Sequence, residues 1–109
     1  MRNLVPRFIR FAFSCCIVLP AAVYAQSDAA KIFKTNCVLC HSENGSGDSA
    51  TGKALHAKDL RSDEVQKQSD AALAEVITKG KGKMPAFRAK IHPEGVAKLV
   101  AYIRALPKK

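Results

Sequence analysis

The sequence has 109 residues, of which 48% are hydrophobic, and its 18 basic residues against 9 acidic ones give a formal net charge of +9. We expect a chain of this length to form one small domain at most. The basic balance leaves nucleic acid, an acidic membrane and an acidic protein surface as possible classes of partner.

The first 25 residues have the pattern of a secretory signal peptide. Three arginines precede an apolar run over residues 11–19, Pro20 breaks that run, and a small-x-small cleavage site ends at Ala25. We therefore predict a signal peptide over residues 1–25 and a single domain over residues 26–109, exported to the periplasm.

A membrane anchor retained at the N-terminus is the alternative to cleavage. The apolar stretch covers only residues 11–24 and is interrupted by proline, whereas a spanning helix needs about 20 apolar residues. Cleavage removes 3 of the 18 basic residues, so the mature chain keeps 15 against 9 acidic ones, a formal charge of +6. We expect no stable membrane insertion of the mature chain.

A first helix is predicted to begin at a capping residue, Ser27 or Asp28. Its apolar positions are Ala29, Ile32 and Phe33. Cys37 follows four residues after Phe33, which places the first thiol on the same, buried face of the helix.

Two thiols three positions apart, followed at once by an imidazole, form the stretch Cys37-Val38-Leu39-Cys40-His41. This spacing is typical of covalent haem attachment, in which each sulfur bonds the porphyrin and the histidine ligates the iron. Two alternatives remain: a zinc site completed by His56 or His92, and a redox-active dithiol. A haem would also fill an interior that is thin, because the mature chain has only three aromatic side chains.

Residues 42–52 contain three glycines and are predicted to form a polar surface loop instead of a helix or strand. Ser62 and Ser69 each precede a short helical run. The second run covers residues 70–79 and ends at Gly80, in the position of a C-terminal cap.

Met84 is the only methionine outside the signal peptide, and it follows a flexible basic strip at residues 79–83. It lies on a loop whose backbone is restrained by Pro85, not on the apolar face of a helix. A thioether is a soft, neutral ligand that suits haem iron opposite a histidine, so we predict Met84 as the second axial ligand.

The last helix is predicted to start at Pro93, after His92, and to stop before Pro107. An apolar stripe at helical spacing consists of Val96, Leu99, Val100, Ile103 and Leu106. Gly95 occupies the place of a capping-box glutamate, so we expect the start of this helix to fray.

The chain resembles the monohaem class I cytochromes c of bacteria, in the branch of small periplasmic electron carriers. The resemblance covers residues 29–106 and rests on the Cys37–His41 motif and on residues 83–87 and 99–103. It implies an all-α class I cytochrome c fold with three to five helices around a covalently attached haem, the N- and C-terminal helices crossing. The positions implied at that crossing are Ala29, Phe33, Leu99 and Tyr102. The resemblance also implies that the carbonyl of Lys53 accepts the proximal histidine N–H.

These readings together predict a one-electron carrier between periplasmic redox partners, without enzymatic activity. Its single haem c is expected to be bound covalently by Cys37 and Cys40, with His41 as proximal and Met84 as distal iron ligand. A small-ligand sensor, should Met84 be displaceable, and a dedicated electron-transfer subunit of a dehydrogenase or oxidase are the alternatives.

A cluster of basic residues flanks Met84 and is predicted to dock acidic redox proteins transiently; its members are Lys79, Lys81, Lys83, Arg88 and Lys90. Because transient electron-transfer interfaces are small, we expect no tight binding to these partners. We also expect the protein to be a monomer. The strip lacks the interleaved aromatic residues of a single-strand binder, so nucleic acid is not expected as a partner.

Overall fold

The computed structural model describes the backbone of residues 22–108 and the side chains of residues 28–108, and these contain helices with no strand beyond one isolated bridge. The six helices are α1 (Ala22–Asn36), α2 (Val38–His41), α3 (Ala50–Leu55), α4 (Asp63–Gln66), α5 (Asp70–Lys79) and α6 (Pro93–Arg104). The predicted all-α class is confirmed. The described part exceeds the expected three to five helices because α2 and α4 are each a single four-residue turn.

The crossing of α1 and α6 forms the centre of the core. The rings of Phe33 and Tyr102 meet with centroids 5.0 Å apart and a tilt of 41°. Phe33 and Leu99 are the largest fully buried side chains, and Ala29 is buried with them. The predicted crossing of the first and last helices is confirmed.

Gly95 lies in the first turn of α6 at a point of close approach. A Cβ at this position would lie 2.9 Å from Cγ2 of Ile91 and 3.3 Å from Cδ1 of Ile32 on α1. The glycine therefore has a packing role that its place in the sequence did not indicate: it lets the start of α6 approach α1 without a side chain between them.

The start of α1 differs from the prediction. We expected the helix to begin at Ser27 or Asp28, whereas it begins at Ala22. A capping residue marks the start of a helix only where the residues before it are not helical. Residues 22–26 contain no glycine or proline that would interrupt the helix before Ser27. Residues 1–21, which make up most of the predicted signal peptide, lie outside the described residues, so its boundary stays a prediction.

The loop predicted over residues 42–52 is shorter than expected, because α3 already begins at Ala50. Ser49 caps this helix, its Oγ accepting a hydrogen bond from the N–H of Gly52 at 2.9 Å. Gly52 is buried where a Cβ would collide with the carbonyl oxygens of Cys40 and Gly47. The small residues that suggested a loop therefore serve close packing of α3 against α2.

The capping residues of α4 and α5 agree with the prediction. Ser62 and Ser69 each cap a helix through the side-chain oxygen. Helix α5 has the predicted bounds, and the N–H of Gly80 donates to the carbonyl of Val76 at 2.8 Å where the helix ends.

Arg104 ties the end of α6 to the connection between α4 and α5. Its guanidinium pairs with Asp70 at 3.0 Å and donates to the carbonyl oxygens of Gln66, at 2.7 Å, and Gln68. The Gln66 amide in turn donates to the carbonyl of Leu60 at 2.7 Å. These bonds fix the backbone that leads into the site described next.

Candidate functional site

The two thiols of the motif lie on the turn that continues α1. Cys37 donates its backbone N–H to the carbonyl of Phe33 at 2.8 Å, and the N–H of His41 donates back to the carbonyl of Cys37 at 2.9 Å. Both cysteines are free and half-buried, whereas Leu39 between them is 72% exposed. The helical turn thus leaves both cysteines partly buried and the intervening residue exposed.

The environment of Cys37 weakens the dithiol alternative. Burial, and then the neighbouring Cys40, raise the pKa of the Cys37 thiol to about 11. The thiolate is the reactive form in disulfide exchange, so the raised pKa makes this cysteine a poor nucleophile for that exchange at neutral pH. A thioredoxin-like dithiol requires the opposite shift.

His41 is held by a backbone carbonyl through one ring nitrogen. Its Nδ1 lies 3.0 Å from the oxygen of Lys58, and since a carbonyl only accepts, Nδ1 carries the proton. Burial lowers the pKa of His41, opposed by the hydrogen bond to Lys58. The ring is therefore neutral at neutral pH, with Nε2 as the nitrogen available to a metal.

The carbonyl that holds His41 belongs to Lys58, and the prediction of Lys53 is wrong. Lys53 lies within α3, and its carbonyl accepts the N–H of His56 at 3.3 Å where that helix ends. The one sequence feature related to this contact is a glycine that packs closely on the Lys58 carbonyl. Gly47 has φ +72, and a Cβ there would lie 3.1 Å from the Lys58 oxygen. Backbone acceptors carry no residue signature, so sequence reasoning missed this contact.

The segment that presents the Lys58 carbonyl is held at several points. The N–H of Leu60 donates to the carbonyl of Gly45 at 2.8 Å, and the carbonyl of Leu60 accepts from Gln66. Arg61 and Asp59 form a two-pronged ion pair, each prong 3.0 Å long. The acceptor for His41 is therefore part of a fixed backbone and does not depend on a side-chain rotamer.

Met84 ends an ordered turn over residues 81–84, the Met84 turn, which includes most of the strip at residues 79–83 that was predicted to be flexible. Lys81 and Met84 exchange two backbone hydrogen bonds, 3.1 Å and 3.0 Å long, around Gly82 and Lys83. Gly82 has φ +57, which a two-residue turn of this kind requires at its first position. The repeated glycine and lysine pattern therefore encodes a turn that places Met84.

The first thiol residue and the methionine of the site both contact one hydrophobic cluster. Met84 and Cys37 are both partly buried and both pack against the core cluster, as do Val38 and Leu60. The residues that carry the thioether and the first thiol, 47 positions apart in the sequence, thus border the same core cluster.

The remaining histidines do not join the thiols. His56 is the C-terminal cap of α3 with φ +55, and His92 precedes α6; both are exposed. Within residues 28–108, no group of three or more histidine, cysteine, aspartate or glutamate side chains is placed to hold a metal ion. The described side chains therefore give no support to the zinc alternative.

All five basic residues around Met84 are exposed, but they differ in pairing. Lys79 forms an ion pair with Glu75 at 2.9 Å. The other four form no ion pair with the side chains of residues 28–108; they are Lys81, Lys83, Arg88 and Lys90. Within this cluster, the unpaired positive charge therefore lies on the turn of residues 81–84 and on the residues after it.

The donor set of this site fits a haem c. Two half-buried thiols on one helical turn, a neutral imidazole with its second nitrogen engaged, and a partly buried thioether are the groups that such a cofactor uses. The raised pKa of Cys37 and the lowered pKa of His41 both favour the neutral form, which suits a low-dielectric pocket.

Comparison with known proteins gives consistent results. The family described as cytochrome C oxidase, cbb3-type, subunit III matches residues 25–103. Cytochrome c6 of Nostoc sp. (strain PCC 7120) is 34% identical over 93 residues, covering 85% of this chain and 78% of its own. The cbb3-type cytochrome c oxidase subunit FixP of Bradyrhizobium sp. (strain ORS 278) is 34% identical over 84 residues, but these make up only 28% of that protein.

A solved structure resembles the fold over its whole length. The KustC0563 c-type cytochrome superposes with a TM-score of 0.68 and 33% identity, covering 75% of this chain and 99% of that one. In the described part of the chain, no helix combines the length and the apolar character needed to cross a membrane.

Proposed function

The chain belongs to the class I cytochromes c, and from that premise we propose that it is a diffusible one-electron carrier whose haem is held by residues of the α2 turn and of the Met84 turn. Because members of this family bind a haem c covalently, the cofactor of this chain is a covalently bound haem c. When bound, that cofactor supplies reversible one-electron chemistry between ferric and ferrous iron.

Each residue of the site has one role in this proposal. Cys37 and Cys40 would hold the haem through thioether bonds, and His41, through Nε2, and Met84, through its sulfur, would ligate the iron. The Lys58 carbonyl orients the His41 ring and increases its basicity. The buried cluster excludes water, which limits the solvent reorganisation that accompanies a change of charge.

The observation that carries the proposal is the placement of Met84. Its backbone is fixed by two hydrogen bonds to Lys81, and its side chain packs on the same cluster as Cys37. In the proposed site, a side chain held in this way would keep one coordination position filled, whereas an enzyme of oxygen, peroxide or nitrite needs that position open. This favours electron transfer over substrate chemistry.

The proposal also covers the cellular compartment and the redox partners. The predicted signal over residues 1–25 directs the chain to the periplasm, where the mature domain acts as a monomer. Acidic redox proteins approach the face bearing Lys81, Lys83 and Arg88, form a small transient contact, and dissociate after transfer.

Neutralising the Met84 turn is expected to weaken the attraction of anionic partners. In the haem-loaded protein, the double change Lys81→Gln and Lys83→Gln should slow reduction of hexacyanoferrate(III) at low ionic strength by about threefold to tenfold and flatten the salt dependence. Stopped-flow oxidation of the ferrous protein across a range of salt concentrations measures both effects.

The matched control removes the same two charges from the exposed face of α1, as Lys31→Gln with Lys34→Gln. A smaller loss of rate in this pair supports a local docking face. Equal losses in the two double variants would mean that only net charge matters and would contradict the assigned face.

One second function has a specific observation behind it. The matching family is described as a subunit of a cbb3-type oxidase, and FixP carries a similar segment within a longer chain. The domain would then deliver electrons to one dedicated complex. Co-purification of the native protein with an oxidase in mild detergent would favour this function over a free carrier.

A further inference from the structure

The loop that carries Met84 closes on the end of helix α5. The N–H groups of Phe87 and Arg88 donate to the carbonyls of Ile77 and Thr78, at 3.0 Å and 3.3 Å. These carbonyls lie in the last turn of α5, where a helix leaves its acceptors without intrahelical partners. Residues 80–86 thus form a loop whose two ends are fastened to the same helix end.

At Gly80 the loop backbone lies in close contact with the backbone of residues 84–86. This residue has φ +75, and a Cβ built on it would lie 2.6 Å from the oxygen of Met84, 2.8 Å from the nitrogen of Ala86 and 2.9 Å from the carbonyl carbon of Pro85. All three neighbours are backbone atoms, which cannot rotate away as a side chain would. Only a residue without a side chain permits this contact.

Gly82 provides a natural contrast within the same loop. Its φ of +57 is also left-handed, but a Cβ there would have no heavy atom within 4 Å. Both positions therefore disfavour other residues through backbone conformation, and Gly80 alone disfavours them through contact as well.

We infer that Gly80 is a positioning residue for the Met84 sulfur, because its bare Cα sets how closely residues 84–86 approach the end of α5. This inference rests on the proposed role of Met84 as an axial ligand. A side chain at position 80 pushes the Met84 backbone outward, since Phe87 and Gly80 anchor the loop on both sides. The thioether then withdraws from the buried cluster on which it packs.

The test compares Gly80→Ala with Gly82→Ala in the full-length, haem-loaded protein. The ferric methionine-to-iron charge-transfer band should persist in the Gly82 variant and weaken or disappear in the Gly80 variant. Imidazole added to the ferric protein competes with the thioether, and its affinity should rise about 10-fold or more for Gly80→Ala, with little change for Gly82→Ala.

Three other outcomes are informative. Equal bands and equal imidazole affinities in the two variants, beside a wild type that shows the band, would overturn the role of Gly80 and leave the proposed function intact. A wild type without the band would overturn both. Should Gly80→Ala fail to accumulate, Gly80→Asn and Gly82→Asn are compared instead, because asparagine is the side chain least disfavoured at positive φ and keeps the Cβ, although the ψ of 170° at Gly80 lies outside the left-handed helical region.

Discussion

Replacement of Met84 by alanine is expected to lower the reduction potential of the haem-loaded protein by on the order of 0.2 V, a fraction of the roughly 0.8 V range over which axial ligands set haem potentials. A neutral thioether favours ferrous iron, and its removal leaves water or an external base in that position. The site keeps its His41 anchor, because the bond from Nδ1 to the Lys58 carbonyl involves no atom of the Met84 turn.

Redox titration and carbon monoxide binding measure this change together. The reduced wild type should bind carbon monoxide slowly or not at all, and the Met84→Ala variant rapidly and stoichiometrically. Leu39→Ala is the matched control, since that side chain is 72% exposed between the two thiols and should leave both properties near wild type. Rapid binding by the wild type would contradict the carrier function and favour a small-ligand sensor.

Replacement of Phe33 by alanine is expected to destabilise the folded protein by about 3–5 kcal/mol. Phe33 is 2% exposed, and its ring packs at a tilt against Tyr102, which joins α1 to α6. The loss is a large part of the 5–15 kcal/mol that stabilises an ordinary domain. Because the Phe33 carbonyl also accepts the N–H of Cys37, loosening this crossing disturbs the turn that carries the thiols.

Denaturant unfolding of the ferric protein, followed by helical circular dichroism, measures the loss. Lys31→Ala provides the control on the exposed side of α1 and should change the free energy of unfolding by no more than about 0.5 kcal/mol. A Phe33→Ala protein as stable as the wild type would show that the crossing of α1 and α6 is not the centre of the core.

The parts of the fold that local chemistry determines could be predicted from the sequence. Helix α5 has the expected bounds, because Ser69 caps its start and Gly80 ends it, and both signals act within one helical turn. The contact between Phe33 and Tyr102 was also predicted, from the resemblance to a family.

Features that depend on contact between two backbone segments distant in the sequence could not be predicted in this way. The acceptor for His41 is a peptide oxygen 17 positions away, and nothing about the Lys58 side chain reveals it. Gly52 and Gly80 were read as loop and cap signals, whereas their additional role is to let two backbone segments touch. A glycine required by distant contact and one required by a local turn look the same in a sequence.

The central claim is that Cys37 and Cys40 attach one haem covalently, and intact-mass spectrometry of the denatured, exported protein tests it most directly. We predict a wild-type mass equal to the mature polypeptide plus one haem, with no free thiol, and a Cys37→Ala, Cys40→Ala double variant without the added mass. A wild-type protein that is exported and folded, yet carries two free thiols and no haem, would contradict the account.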